Sequence, residues 1–478
     1  MDGQTLFIDG RWRPAAGEET IPVVNPSTGE TFGTLSRGRA ADVDDAVSAA
    51  RRAFRGPWSR MSPVERGRVL TRLGELIQRD HDEIALLECR DVGKPLAQAK
   101  RDITAAARYC EFYGGAADKL HGETLPYEAG YTVMALREPF GVTAHIIPWN
   151  YPAQMFGRSV MASLAAGNAV VIKPGEDACL SILAMVERAA EAGLPEGVLN
   201  VVTGYGHEAG AALSGHAGVD HISFTGSPAT GTLVQQAAAV HNVPATMELG
   251  GKSPQIVFAD ADLDAALPML YGALVQNAGQ TCSAGSRILV EKSRFDEVVS
   301  ALSARFEATR VGPAEADPDV GPLISAKQAE RVSAFVERAE AESLALAAVA
   351  GGDDGPAGGF YVKPRLFAPV DPDHELSRQE VFGPVLVATP FDDEDHAVRL
   401  ANATEYGLVA GLWTSHGGRQ LRMSRALDAG QVFVNCYGAG GGVELPFGGV
   451  KRSGYGREKG MEGLKSFTRI KTVAIHHG

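Results

Sequence analysis

Between residues 142 and 258 short β-branched runs alternate with longer stretches of helical periodicity, and no other feature of the sequence narrows the fold so far. Such alternation belongs to a parallel sheet covered by helices, because parallel strands need long crossovers and are apolar on both faces. Strands are expected at 142–147, 169–172, 199–202, 221–224 and 245–249, with helices at 152–166, 179–192, 208–213 and 230–240. This is a Rossmann-like α/β layout.

At 478 residues the chain exceeds what one hydrophobic core supports, so two or three domains are expected. Upstream, 42–54, 63–93 and 103–120 read as helices that start at Asp or Ser-Pro signals and pack on the sheet. After Glu248 a second alternating series begins: strand 256–258, helix 263–278, strand 287–290 and helix 295–309. It implies a second α/β domain. Residues 351–359, rich in Gly, Asp and Pro, read as an exposed loop. Two extended segments, 132–138 and 466–475, suit neither α/β layer and read as paired strands whose edge invites a partner subunit.

Composition removes several classes of partner. The formal net charge is −13, with Lys and Arg scattered rather than clustered. A nucleic-acid backbone is held by concentrated positive charge, so that partner is not expected. The five cysteines show no Cys-x-x-Cys spacing, which fits a reducing compartment and makes the cytoplasm the expected location. Residues 1–4 carry neither the basic nor the apolar stretch of a secretory signal. The most apolar segment, 160–172, is broken by Ser163, Gly167 and Asn168 and is shorter than the ~20 residues a bilayer needs, so no membrane association is expected. The 12 histidines lack ligand spacing, and no metal is expected.

Candidate chemistry lies in the loops. Phe224-Thr225-Gly226-Ser227-Pro228 turns from strand to helix, where free N–H groups can meet a phosphate; an ordinary tight turn reads the same way. Lys173-Pro174-Gly175-Glu176 follows a parallel strand at its carboxyl end, where a carboxylate accepts from both ribose hydroxyls and repels a 2′-phosphate; two solvated loop charges are the alternative. Pro148-Trp149-Asn150-Tyr151-Pro152 ends a strand and opens a helix, so Asn150 is either a helix cap or an amide donor to a developing oxyanion. Cys282, between Gly279 and Gly285, is either a small buried hydrophobe or a nucleophile in an exposed turn whose N–H groups favour a thiolate. Glu248, in its own small-residue loop, is the base such a thiol needs for activating water later in a covalent cycle. Cys89, Cys110 and Cys179 fall on helices and read as core; Cys436 ends a strand.

These motifs occur in order with others: Asn25-Pro26-Ser27-Thr28-Gly29-Glu30, Glu248-Leu249-Gly250-Gly251-Lys252, Gly279-Gln280-x-Cys282, Glu380-Val381-Phe382-Gly383-Pro384, Pro446-Phe447-Gly448-Gly449 and Ser453-Gly454-x-Gly456-Arg457-Glu458. As an ordered set they resemble the NAD(P)-dependent aldehyde dehydrogenase superfamily over essentially the whole chain. The resemblance implies a Rossmann-like cofactor domain (1–120 with 140–248), a second α/β catalytic domain (249–447) and a small β oligomerisation flap (121–139 with 448–478). It implies a homo-dimer or homo-tetramer acting on a small-molecule aldehyde.

It also implies roles. Cys282 attacks the aldehyde, the Asn150 amide and the Cys282 N–H hold the oxyanion, and Glu248 activates the water that hydrolyses a thioester. Lys173 and Glu176 hold the adenosine ribose, Ser227 beside Gly226 lies by the pyrophosphate, Glu380 binds the nicotinamide ribose and Phe382 packs near it. Ile147, Pro148, Trp149 and Leu249 complete the implied cofactor contacts. Lys173 with Glu176 favours NAD, although relatives with this Glu sometimes accept NADP. Acylating members, which pass the acyl group to coenzyme A, usually lack the base at 248, so hydrolysis is expected.

The match thins in the substrate channel, whose implied contacts are Tyr151, Met155, Arg158 and Gln276. Arg158 resembles the arginine with which succinic semialdehyde dehydrogenases bind a carboxylate, and helical spacing sets it two turns beyond Asn150 on roughly the same side. Gln276 stands where those enzymes carry a second arginine, and Gly438, Gly440, Gly441 and Gly442 replace bulkier lining residues. Arg158 reads equally as a salt-bridge partner. A non-catalytic dinucleotide-binding relative is the competing class, against which the presence of Cys282, Glu248 and Asn150 together speaks.

Overall fold

The computed structural model describes residues 5–352 and 355–478; residues 1–4, and Asp353 and Asp354 of the expected loop, lie outside the described residues. Five parallel strands centre the first sheet: β1 (Val142–Ile147), β2 (Ala169–Pro174), β3 (Leu199–Val201), β4 (His221–Thr225) and β5 (Ala245–Glu248). Their spatial order is β3-β2-β1-β4-β5. Val170, Val171 and Ile172 of β2 are wholly buried, as a strand covered on both faces requires. The order reverses between β1 and β4, and open α/β sheets take their ligands at the carboxyl ends of strands beside such a reversal. Residues 148–150, 175–176, 226–227 and 249 all follow those ends.

Three short strands absent from the sequence reading complete this sheet: Leu6–Ile8 and Arg11–Arg13 beyond β3, and Gly454–Tyr455 beyond β5. Two or three residues carry too little alternation to be read. Gly454 makes the last of them possible, since its φ is +106° and a Cβ there would lie 2.0 Å from the Met247 carbonyl oxygen. The segment 448–478 therefore serves the first sheet as well as the flap.

A second sheet contains β6 (Pro254–Val257), β7 (Arg287–Glu291), β8 (Leu346–Val349), β9 (Arg365–Phe367), β10 (Val385–Phe391), β11 (Val409–Trp413) and β12 (Gln431–Val434). Its order is β8-β9-β10-β7-β6-β11-β12, parallel except for the β8–β9 pair. The flap is a third sheet: Tyr131–Pro139 pairs antiparallel with Thr468–His476, from Thr468↔Pro139 to His476↔Tyr131, and Glu123–Leu125 adds to it.

Several helices differ from expectation. The helix expected over 63–93 is two, Pro63–Arg79 and His81–Val92. Aspartate favours helix ends, and the Asp80 carboxylate at the break is taken by Arg79 (2.7 Å) and Arg188 (2.8 Å). The helix expected over 103–120 begins earlier, at Leu96 after Pro95, and ends at Ala116. The helix expected over 152–166 contains a π-turn at Phe156–Val160. A Cβ at Gly157, within that turn, would lie 2.8 Å from the Tyr109 ring. The extra residue takes Arg158 out of the α-helical register that set it on the Asn150 side. Cys89 and Cys110 are buried on helices, while Cys179 is the buried N-cap of Leu180–Glu191.

Candidate active site

The helix Leu263–Val275 stops where Gln276 leaves helical geometry, and Asn277, Ala278 and Gly279 follow with φ of 47°, 53° and 75°. Left-handed non-glycine residues cost on the order of 1–3 kcal/mol each and persist only where surroundings over-determine them. Here they do. The Asn277 N–H donates to Gln98 Oε1 (2.9 Å), its amide donates to the Asn150 carbonyl (3.0 Å), and Gln280 Oε1 accepts from the Ile324 N–H (2.9 Å). A Cβ at Gly279 would lie 2.3 Å from the Gly383 carbonyl oxygen. On either side of Cys282, Thr281 Oγ1 meets the Tyr151 hydroxyl (2.8 Å) and the Ser283 carbonyl accepts from Tyr437 (2.7 Å).

Cys282 is half-buried and packs against the apolar cluster of Leu408, Val409 and Phe447. Burial pushes its thiol up to about 12; Arg158 opposes, Glu380 and Glu248 add, and the Ser283 N–H opposes weakly. The Ser283 N–H acts in the direction expected of the turn, while burial and two carboxylates oppose it. Alkylation of Cys282 in the cofactor-free protein is therefore expected to accelerate about tenfold per pH unit from pH 7 to 10. A plateau below pH 8, read from adduct mass against time, would contradict this.

Asn150 is 4% exposed and donates from Nδ2 to the Gln280 carbonyl (2.9 Å). The following helix is N-capped at Tyr151 without a side-chain bond, so Asn150 is not its cap. An amide nitrogen has two hydrogens, and among the described residues Nδ2 donates only this one bond. Glu248, at the end of β5, is 1% exposed, and among the described residues neither carboxylate oxygen has a partner. A Cβ at Gly448 would lie 2.8 Å from Glu248 Oε1, so a bare glycine shapes its niche. Burial drives this carboxyl well above the usual range; Arg158 opposes, Glu458 adds and Arg457 opposes. A carboxyl so tuned is a base working nearer neutral pH.

At the carboxyl ends of β1, β2 and β4 the residues fit a dinucleotide. Glu176 Oε2 pairs with Lys173 (2.6 Å) and Oε1 accepts from the Gly206 N–H (3.2 Å). Burial alone would raise this carboxyl, yet Lys173 and the amides hold it below the usual range, an ionised acceptor for ribose hydroxyls. Ser227 caps the helix Pro228–Ala239, and the Gly226 N–H bonds to the Glu248 carbonyl (3.1 Å). Trp149 meets Phe382 edge-on at 5.5 Å, with Phe382 at φ 58°. Pro148 follows the buried Ile147, and the Leu249 N–H bonds to Ser453 (3.0 Å). Glu380 accepts from the Gly251 N–H (2.9 Å), and its carboxylate lies where a Cβ at Gly250 would collide, 2.2 Å away; burial raises it to about 7. Acceptors and bare glycines thus run from β2 to the Cys282 loop.

On the substrate side, buried Arg158 ion-pairs with Glu458, whose other oxygen accepts from Ser223 (2.8 Å). The guanidinium lies 4.3 Å over the Phe447 ring. Tyr151 is buried against the Cys282 loop and Met155 is buried in the core cluster that includes Tyr151, whereas the Gln276 amide turns back toward Ala273 (3.5 Å). Reasoning from sequence missed the support beneath: Lys94, wholly buried, pairs with Glu88 (2.9 Å) and Asp102, its ammonium 4.2 Å from the centre of the Tyr151 ring. The available signal was Gln98 and Asp102 one turn apart. Glu458 was visible in a motif without a role. Among the described residues no group of His, Cys, Asp and Glu side chains is placed to hold a metal, and no helix is long and apolar enough to cross a membrane.

The sequence model of the aldehyde dehydrogenase family matches residues 12–473. The chain is 43% identical to the NADP/NAD-dependent aldehyde dehydrogenase PuuC of Escherichia coli, over 98% of this chain and 95% of that one. A crystal structure of a provisionally named aldehyde dehydrogenase from Burkholderia cenocepacia is 62% identical, with a TM-score of 0.98 over 99% of this chain and 100% of that one. The NAD+ complex of an aldehyde dehydrogenase from Bacillus cereus is 38% identical, with a TM-score of 0.96 over 100% and 97%.

Proposed function

The chain belongs to the aldehyde dehydrogenase family, and on that footing we propose that it oxidises an aldehyde to the free carboxylic acid through a thioester on Cys282, with NAD as cofactor and NADP as a possible substitute. The observation carrying this reading is the convergence of three groups: a pinned cysteine, an amide bonded to the carbonyl of Gln280 two residues before it, and a buried carboxyl that has no partner among the described residues. Glu176 with Lys173, Gly226 with Ser227, and Glu380 with Phe382 would hold the dinucleotide. When bound, NAD supplies the two-electron acceptor.

Cys282 Sγ forms a bond to the carbonyl carbon as its thiol proton passes to water. The carbonyl oxygen becomes an oxyanion held by the Asn150 amide and the Cys282 N–H, one such donor being worth about 10²–10³ in rate. Collapse of the oxyanion expels the aldehyde hydrogen as hydride, for which bound NAD would be the two-electron acceptor, and leaves the thioester. Glu248 then takes a proton from water, which attacks the acyl carbon; the acid departs and Sγ is restored. The test is product identity across a panel of aldehydes: reduced cofactor and free acid in equal amounts without coenzyme A support the reading. A thioester product that depends on coenzyme A overturns it.

Two finer points belong to the same reading. The pairing of Arg158 with Glu458 supports a structural part for this arginine, since removing one partner of a buried pair costs about 3–5 kcal/mol. The flap exposes Ile470 and Ile475, at 64% and 47%, on an edge strand whose outer side pairs with no other strand among the described residues, which supports a homo-dimer or homo-tetramer. Sedimentation as a monomer at working concentration would contradict that.

A further inference from the structure

Immediately after Glu458 stands Lys459, with φ 64° and ψ 160°. That region of backbone space is essentially reserved for glycine, and such outliers cluster at functional sites. The side chain is not flung into solvent to compensate: Lys459 is 9% exposed. Its ammonium donates to the Gly441 carbonyl at 3.3 Å and lies 5.9 Å from the centre of the Phe447 ring. Among the described residues no carboxylate pairs with it. Glu444, the acidic group that acts on it, is exposed and bonded to Arg108 (2.6 Å). Burial, with Arg158 adding and Glu444 opposing, lowers the ammonium to about 8.

Its surroundings place this charge on the substrate side. Phe447 belongs to the cluster against which Cys282 packs, and Arg158 already lies on the same ring. Of these two cations Arg158 has its carboxylate and Lys459 does not. Beside it the chain is bare: a Cβ at Gly438 or at Gly441 would meet nothing within 4 Å. A buried ammonium held by one backbone carbonyl and, among the described residues, by no carboxylate, beside the ring that packs on the nucleophile, is a receptor for an anion.

We propose that Lys459 binds a carboxylate at the far end of the aldehyde substrate, so that the enzyme prefers aldehydes bearing a terminal carboxylate. The proposal rests on the aldehyde-oxidation reading above. A single ammonium with Glu444 nearby matches a monoanion better than a phosphate dianion, and phosphate-bearing aldehydes form a separate arm of the test.

The experiment compares kcat/KM for straight-chain aldehydes of equal length ending in a carboxylate, a phosphate or a methyl group. The wild type is expected to favour the carboxylate. In Lys459→Met the ratio of carboxylate to methyl-ended kcat/KM is expected to fall about 10–100-fold, chiefly through KM. Lys459→Gly, whose residue suits this backbone, guards against misfolding and should show the same fall, while Lys459→Arg retains part of the preference. Independently of turnover, a dicarboxylate such as glutarate should raise the melting temperature of the wild type and not of Lys459→Met. Equal losses on charged and neutral aldehydes, a preference for phosphate, or a glutarate shift that survives Lys459→Met would overturn the proposal. If the wild type oxidises no aldehyde, the oxidation reading falls, and the glutarate shift still decides whether Lys459 binds carboxylates.

Discussion

Serine in place of Cys282 is expected to lower kcat/KM for aldehyde oxidation by about 10⁴–10⁶-fold, the scale on which removing a nucleophile acts in enzymes that pass through a covalent intermediate. The loss should be this large because nothing else in the site compensates. Among the described residues Glu248 has no hydrogen-bond partner, so its carboxyl is not bonded to the side chain at 282 that it would have to activate. The loop is pinned through Asn277, Gln280, Thr281 and Ser283 rather than through the sulfur, so the variant should fold and bind dinucleotide as the wild type does. Fluorescence titration with NAD and a melting curve check that condition, and the absorbance of reduced cofactor reads the loss. Oxidation surviving within tenfold would mean that another group carries the covalent step.

Glu248→Gln has the second-largest expected effect, and of a different kind. Steady-state turnover should fall by about 10²–10⁴-fold, the range for a general base, while the first turnover persists as a burst of one reduced cofactor per subunit. The pH dependence follows from the direction of the shift. A carboxyl raised in the folded protein binds its proton more tightly there than in the unfolded chain. Its contribution to stability is therefore full below the unfolded value and lost as pH rises through the folded one. The Gln variant should accordingly melt higher than the wild type at pH 8 and nearly equal to it at pH 5. Deacylation in the wild type should rise with pH through the raised value, and the variant should lose that limb. A variant that melts lower at pH 8, or shows no burst, contradicts the assigned state of Glu248.

Much of the frame was legible because its signals are local. β1 matched its expected bounds to the residue, and β2 to β5 began where the β-branched runs begin, since a strand buried on both faces leaves an unbroken apolar run. The flap strands were visible as extended segments that fit neither layer. What escaped depends on distant partners. The break at Asp80 is fixed by Arg188, the strand Gly454–Tyr455 by the open backbone of β5, and the π-turn at Phe156–Val160 lies where Gly157 meets Tyr109.

The site divides the same way. Cys282, Glu248 and Asn150 announced themselves through small-residue loops at element ends; Asn150 bonds the loop that carries Cys282, and the Glu248 charge acts on that thiol. Their electrostatic state was not legible, because desolvation is a property of the packed protein: the turn that suggested a thiolate holds a thiol pushed up to about 12. The same holds for Arg158, whose spacing suggested a clamp and whose guanidinium is taken by a glutamate 300 positions away. Lys459 carried no sequence signal at all; its backbone conformation and burial appear only in three dimensions.

Peptide mass mapping of Glu248→Gln, quenched after one turnover with NAD and aldehyde, tests the covalent step most directly. The account predicts one acyl group per subunit, thioester-linked to the peptide that contains Cys282 and released by hydroxylamine, in step with one equivalent of reduced cofactor. Reduced cofactor and free acid formed with no acyl group on any cysteine, or an acyl group on a peptide other than that of Cys282, would contradict it.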